Sequence, residues 1–402
     1  MTAESVEVAV VGGGPAGAVV AARIARLGHE VVVFERDPHW RWRAGGVFAS
    51  PASLTALRAA GVDDTTLAEV ARPIPAMRVE TRGGTSFRLT YGADVGGERA
   101  VGFDRSRLDP ALLDLARGAG AEVRLGRTVT AVDVDSGRLE VREPGGETSV
   151  VAVRCVVGAD GPRSVVARAA GVHATTRLPE RIGLTYHLAD PDPTACRDAR
   201  MRVLDDGYVG IAPVAGGRVN VGIVLGRWWT SRLIIDGARA VADSIVATIP
   251  PIAGDDVAWA AGDPMDTVAG AWPLGNRVTR RAGRRWLLVG DAAGFLDPFT
   301  GEGLYRSLAS AELAAAAIHA RQRGSERAFG AYERAMQRRF LAKDGVSWLV
   351  QAFLSQPRLF EYAARRVSAR DELRATLGLA MGDLIGAGRV LDPRFLVALL
   401  AP

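Results

Sequence analysis

The chain reads as an α/β protein: a nucleotide-binding βαβ domain interrupted by an antiparallel or mixed β-sheet, with a helical segment at its carboxyl end. Three observations predict this. Apolar Val6–Val11 runs into glycines, a helical stretch Pro15–Leu27 stopped by Gly28, and a second apolar run from Glu30 to Phe34 closed by Glu35. That is strand, helix, strand in about 30 residues, the size of one βαβ unit. A second apolar strand, Arg285–Val289, feeds another glycine-rich loop and a helix from Gly303 to Arg321. Residues 180–265 are strand-rich, with a helix near 235–249, and from 325 onward the pattern is helical.

The remaining elements follow in order. Residues 77–91 read as a hairpin around Arg82-Gly83-Gly84, and 108–118 as a helix. Thr128–Val134, Arg138–Arg142 and Thr148–Val157 form a meander, split by Asp135-Ser136-Gly137 and Pro144-Gly145-Gly146, whose residues supply the tight reversals. Because α/β segments bracket the strand-rich middle, the nucleotide domain is expected to be discontinuous. It spans 1–75, 101–178 and 270–330, a substrate-binding sheet takes 76–100 and 179–269, and the C-terminal helical segment takes 331–402.

Composition narrows the function. The 402 residues are 48% hydrophobic and 24% charged, ordinary for a globular protein with a sizeable core. The net charge of +5 is carried by arginine, for Lys343 is the single lysine. No basic tract interleaved with aromatics points to nucleic acid. The basic run Arg277–Arg285 is expected to be a solvated loop, the alternative being a docking surface for an acidic partner such as a carrier protein. Two cysteines, Cys155 and Cys196, support neither a disulfide framework nor a zinc site, and Cys155 is expected in the core. No apolar stretch reaches the roughly 18 residues of a membrane span, and the acidic amino terminus does not read as a signal peptide, so a cytoplasmic location is expected.

Gly12-Gly13-Gly14-Pro15-Ala16-Gly17 fits G-x-G-x-x-G. In a Rossmann-like unit Gly12 allows the turn out of the strand, Gly14 lets backbone approach a pyrophosphate, and Gly17 lets the helix pack close to the sheet. The helix start at Pro15 and Ala16 then offers free N–H groups and a positive dipole end. Glu35 lies at about the 20-residue distance expected of a ribose-binding acid, with Arg36 beside it. A dinucleotide with an unphosphorylated adenosine ribose is expected here.

Two further motifs choose between dinucleotides. Gly158-Ala159-Asp160-Gly161-Pro162-Arg163-Ser164 resembles the Asp-Gly motif of para-hydroxybenzoate-hydroxylase-type flavin monooxygenases. Gly290-Asp291 and its continuation through Asp297-Pro298-Phe299-Thr300-Gly301-Glu302-Gly303-Leu304 resemble the Gly-Asp motif in its geranylgeranyl-reductase version. The resemblance runs through nearly the whole chain in order and implies a glutathione-reductase-type FAD-binding domain. It implies FAD contacts at Gly290, Asp291, Pro298, Gly301, Gly303, Leu304, Arg107 and Val129, and in the basic-glycine segment Arg43-Ala44-Gly45-Gly46. Asp160 and Gly161 are assigned to the cofactor or to tying the glycine turns together. The helix after Gly303 is expected to aim its positive end at the flavin N1–C2=O edge, where reduction places charge.

The resemblance implies oxidoreduction of a largely apolar small molecule, isoprenoid or polyketide-like, free or carrier-linked. Double-bond reduction by hydride from flavin N5 and oxygenation through a flavin hydroperoxide stand nearly even, and a non-redox flavoprotein is the alternative. Reductase-like matches are Gly207-Tyr208-Val209-Gly210-Ile211-Ala212-Pro213 and Asn220-Val221-Gly222, with Ala44 replacing a cysteine and Gly210 a tryptophan. Halogenases of this group use a lysine near the flavin and a Trp-x-Trp-x-Ile-Pro segment. The chain lacks that segment and its single lysine, Lys343, falls in the C-terminal helices, so halogenation is not expected. No second G-x-G-x-x-G appears, so NADPH or NADH is expected to bind transiently as electron donor. The five histidines show no metal spacing, catalytic side chains stay unassigned, and His187 is the histidine to test. The apolar C-terminal helices are expected to pack internally, with peripheral membrane contact as the alternative.

Overall fold

The computed structural model describes residues 4–92, 97–174, 180–250 and 263–400. Strand Glu4–Val11 runs parallel to Val31–Glu35 on one side and to Thr148–Gly158 on the other. Val8, Ala9 and Val10 are fully buried, as expected of parallel strands covered on both faces. Glu122–Leu125 extends this sheet beyond Val31–Glu35. Thr148–Gly158 is long enough to serve two partners along its outer edge. Its first half pairs antiparallel with the meander strand Arg138–Arg142, and its last residues pair parallel with Trp286–Leu288. Three adjacent parallel strands therefore end at one edge of the sheet, and each runs into a glycine loop. Helices Pro15–Arg26 and Gly303–Gln322 pack against each other beside it.

The second sheet runs, in spatial order, Ala269–Ala271, Arg181–Ala189, Arg218–Gly226, Gly207–Val214, Ala199–Leu204, Met77–Glu80 and Ser86–Leu89. Its alternation gives it two different faces. Ile182, Leu184, Tyr186, Val221 and Ile223 form a core against helix Ala238–Val246. The opposite face presents Thr185, His187, Tyr208, Gly210, Asn220 and Gly222 toward the loops of the first sheet. The C-terminal helices Ala328–Leu354, Pro357–Ala369, Asp371–Met381 and Pro393–Leu400 share a core around Val346, Phe353 and Phe395.

Some local expectations change. The helix near 235–249 is two, Thr230–Asp236 and Ala238–Val246, broken at Gly237 with φ of 83°. The basic run is more built than a solvated loop: Arg277–Val278 pairs with His173–Ala174, and Arg281 holds Glu333 and the Ala293 carbonyl. Residues 1–3 of the amino terminus and 251–262 of the strand-rich middle lie outside the described residues.

Candidate active site

The first loop is shaped by missing side chains. A Cβ on Gly12 would stand 2.6 Å from the Ala159 carbonyl oxygen, and one on Gly17 would stand 1.9 Å from that of Gly12, so both positions require glycine. Gly14, the residue before helix Pro15–Arg26, has nothing within 4 Å of a Cβ position and no side-chain cap, leaving the helix N–H groups open toward that space. Pro15 starts the helix, and Ala16 is buried. Glu35 closes its strand with Oε2 held by the Gly13 N–H at 2.7 Å. Its Oε1 accepts from Arg43 at 2.8 Å and from the Asp37 N–H at 3.0 Å. Arg36 is mostly exposed at the same edge. Val129 is buried on the strand Thr128–Asp133, next to Arg127, whose N–H bonds the Glu35 carbonyl at 2.9 Å.

The other two loops meet the first. Asp160 accepts from the Val165 N–H at 2.6 Å through Oδ2, bracing the start of the short helix Val165–Ala169 that Ser164 caps, and its buried Oδ1 has no partner. Gly161, with φ of 79°, completes that turn. A Cβ on Gly290 would stand 2.8 Å from that of Ala16, so motifs 274 residues apart in sequence are in van der Waals contact. The side chain of Asp291 takes part in no hydrogen bond among the described residues. Burial raises its pKa above the ordinary carboxylate value, against the opposing pull of Arg105 and Arg306. Pro298, Gly301, Gly303 and Leu304 form the turn that enters helix Gly303–Gln322, and Gly301 packs on Phe48 of the segment after Arg43, Gly45 and Gly46.

Arg107 is placed with its side chain 60% exposed, its Nε 4.0 Å from Asp104. Arg105, two residues earlier, is held against the glycine segment: it donates to the Gly46 carbonyl at 2.9 Å and clamps Asp109 with two nitrogens. Asn276, which no sequence motif singles out, donates to the Asp291 carbonyl at 3.0 Å and leaves a buried Oδ1 unpartnered. Nothing in the linear pattern around Asn276 distinguishes it from a loop residue.

These loops fit FAD on their own observations. The open cradle at Gly14, the bare N–H groups of a helix, the orphaned Asp160 and Asn276 oxygens and the unbonded Asp291 carboxylate all await a polar, extended ligand. The sequence matches the FAD binding domain family over residues 5–343. The chain belongs to that family. It is 29% identical over 333 residues to a menaquinone reductase of Mycobacterium tuberculosis, covering 79% of this chain and 78% of that one. It is 30% identical over 336 residues to a digeranylgeranylglycerophospholipid reductase of Methanopyrus kandleri, covering 77% and 75%. In structure it resembles a geranylgeranyl bacteriochlorophyll reductase-like protein of Thermoplasma acidophilum, with TM-score 0.79, 21% identity and coverage of 96% and 98%. The flavin-dependent halogenase CmlS shares the fold at TM-score 0.74 and 23% identity, covering 99% and 72%. This chain is an FAD-dependent oxidoreductase.

The face of the second sheet opposite these loops is polar at one end and apolar at the other. Tyr208 donates to Asp297 Oδ1 at 2.5 Å, with Phe299 edge-on to its ring. Burial raises the pKa of both Tyr208 and Asp297. Arg181 lies 3.5 Å from the other Asp297 oxygen. Next come Gly210 and Gly222, directly paired. Thr185, His187 and Asn220 follow, covered by Trp42, whose indole N–H donates to the Thr185 carbonyl at 3.2 Å. In the opposite direction Met201, Met77 and Phe299 open onto a half-open apolar cleft that continues to Phe353 and Phe360.

Proposed function

We propose that the protein reduces a carbon–carbon double bond in a lipophilic, chain-bearing substrate. The observation that carries this reading is Phe299. It sits in the turn Pro298–Thr300 beside Gly301, where the family resemblance puts the flavin, and it also lines the apolar cavity running under the C-terminal helices. A chain in that cavity would bring its inner end to the flavin. The names of the curated relatives, reductases of menaquinone and of a geranylgeranyl lipid, support the same substrate type. FAD, when bound, supplies the hydride, and NADPH or NADH would reload it from the solvent side. The protein's own part is to hold the cofactor with Gly12, Gly14, Gly17, Glu35, Asp291 and the turn at Gly301–Gly303, and to exclude water from the reacting bond with the roof of Gly210, Gly222 and Met201.

The sole lysine, Lys343, faces Glu302 at 3.5 Å and pairs with Asp383, so it serves the join between the C-terminal helices and the cofactor turn. The test is anaerobic mixing of the reduced, FAD-loaded protein with a long-chain menaquinone and with a geranylgeranyl lipid. Flavin reoxidation is expected, with a product whose chain keeps two added hydrogens after any quinol is reoxidised to the quinone. Reoxidation that requires dioxygen, with label from it in the product, would establish oxygenation in its place.

A further inference from the structure

We propose that His187, oriented by Asp266, forms with Asn220 and the bare glycines of the adjoining strands a subsite for the hydroxyl group of a flat ring, a phenol, enol or hydroquinone, accepted at the imidazole Nε2. This deepens the reductase reading and rests on it only for which sheet face meets the substrate.

The geometry fixes the tautomer. Asp266 accepts the His187 backbone N–H at 2.7 Å through Oδ1 and meets Nδ1 at 2.7 Å through Oδ2. A carboxylate against Nδ1 keeps the proton there, so Nε2 carries a lone pair. Burial pushes His187 below the ordinary histidine value, Asp266 opposing; Arg218 lowers it further and Asp104 raises it. The ring is therefore neutral at pH 7. Facing Nε2 is the Asn220 amide nitrogen at 3.4 Å, while its hydrogens are drawn to Thr185 Oγ1 at 2.9 Å and the Tyr186 carbonyl at 3.3 Å. Nε2 is thus a buried acceptor with a weak donor, and a ligand O–H would improve it.

The surroundings suit a ring. The nearest atom to a Cβ on Gly210 would be Met201 Cε at 3.6 Å, and on Gly222 it would be Asn220 Oδ1 at 3.8 Å, so the two glycines leave room for ordinary van der Waals contact and no clash. The Trp42 indole stands 4.4 Å from the imidazole, a place an incoming ring would take by displacing it. Beyond the glycines, Met201 begins the apolar cavity. The substrate class is then an amphiphile, with a hydroxylated ring at His187 and an apolar chain toward Phe353.

The test titrates the oxidised, FAD-loaded protein with 1-naphthol and with 1-methoxynaphthalene, following flavin absorbance. One hydrogen bond predicts about tenfold tighter binding of the naphthol. His187→Phe should bring the ratio near one with FAD content unchanged. Asp266→Asn, which frees the tautomer, should narrow it. Acidification through the His187 titration should also abolish it, because a protonated Nε2 no longer accepts. Equal binding of the two probes by the unmodified protein, or a naphthol preference that survives His187→Phe, overturns the proposal. If His187→Phe loses FAD, a ratio unmoved by Asp266→Asn and by pH overturns it equally. No turnover is involved, so absence of double-bond reduction with the ratio intact would sink the reductase reading alone.

Discussion

At the carboxyl edge of the parallel sheet, the groups that matter are backbone N–H groups and absent side chains. On the facing side of the antiparallel sheet they are side chains gathered from separate stretches: Trp42, Thr185, His187, Asn220 and Asp266. The first region recognises a ligand common to a family by a fixed cradle. On the reading proposed above, the second would recognise the substrate, with groups that can change one at a time. The two should therefore fail differently when mutated.

The sharpest contrast lies inside the glycine loop. Gly17→Ala drives a methyl group into the Gly12 carbonyl and should disrupt helix and sheet together. Gly14→Ala meets no protein atom and has an ordinary φ of −68°, so the apoprotein should melt normally. Its methyl would occupy the approach to the pyrophosphate, weakening FAD by roughly a hundredfold, about 2.7 kcal/mol. Flavin content beside apoprotein melting temperature separates the two. A Gly14→Ala protein that stays fully yellow would break the assignment of that loop.

Next in size is the join between the regions. Lys343→Met leaves Glu302 and Asp383 buried without their cation and should cost about 3–5 kcal/mol of stability. Burial pulls Lys343 from its ordinary 10.5 to about 8, with Glu302 opposing. Between those values the unfolded chain binds a proton that the folded chain does not, so this group makes stability rise with pH across that window. Urea midpoints of the two proteins between pH 8 and 10.5 should diverge by that one proton, the native protein gaining; parallel curves would show that Lys343 does not titrate there.

Gly210→Trp should leave FAD untouched and block the substrate face, lowering affinity for an amphiphilic ring probe by at least about tenfold. An unchanged probe affinity would move the substrate off this sheet.

The same contrast explains what could be read from residues alone. Gly12, Gly14 and Gly17 lie within six positions, because one turn of backbone makes that cradle, and Glu35 follows at a fixed helix length. The Gly290–Gly303 loop was legible for the same reason. His187 stood out as a residue to test, but its partner Asp266 lies 79 positions away, and no periodicity announces a pairing made by sheet register. Arg105 and Arg107 share one helical turn, and the choice between them depends on which way the helix faces.

The smallest effect concerns the hydrogen bond that ties the two regions together at Tyr208, removed by Tyr208→Phe. The mutation removes the hydroxyl that donates to Asp297, while Asp297 keeps the Phe299 N–H at 3.0 Å and Arg181 at 3.5 Å, so the loss should be only about 1–2 kcal/mol. Its pH dependence is more telling than its size. Burial raises the Asp297 pKa above the ordinary carboxylate value of 3.8, and the Tyr208 bond lowers it. Above 3.8 the unfolded chain has released this proton and the folded chain still holds it, so the group lowers stability as pH rises until the folded value is passed. Without Tyr208 that value moves higher and the interval widens. The deficit of Tyr208→Phe should thus be greatest near neutrality and shrink in acid, as denaturant midpoints at several pH values would show. A deficit independent of pH would mean that Asp297 is protonated throughout, and that the tyrosine serves the phenylalanine beneath it more than the carboxyl beside it.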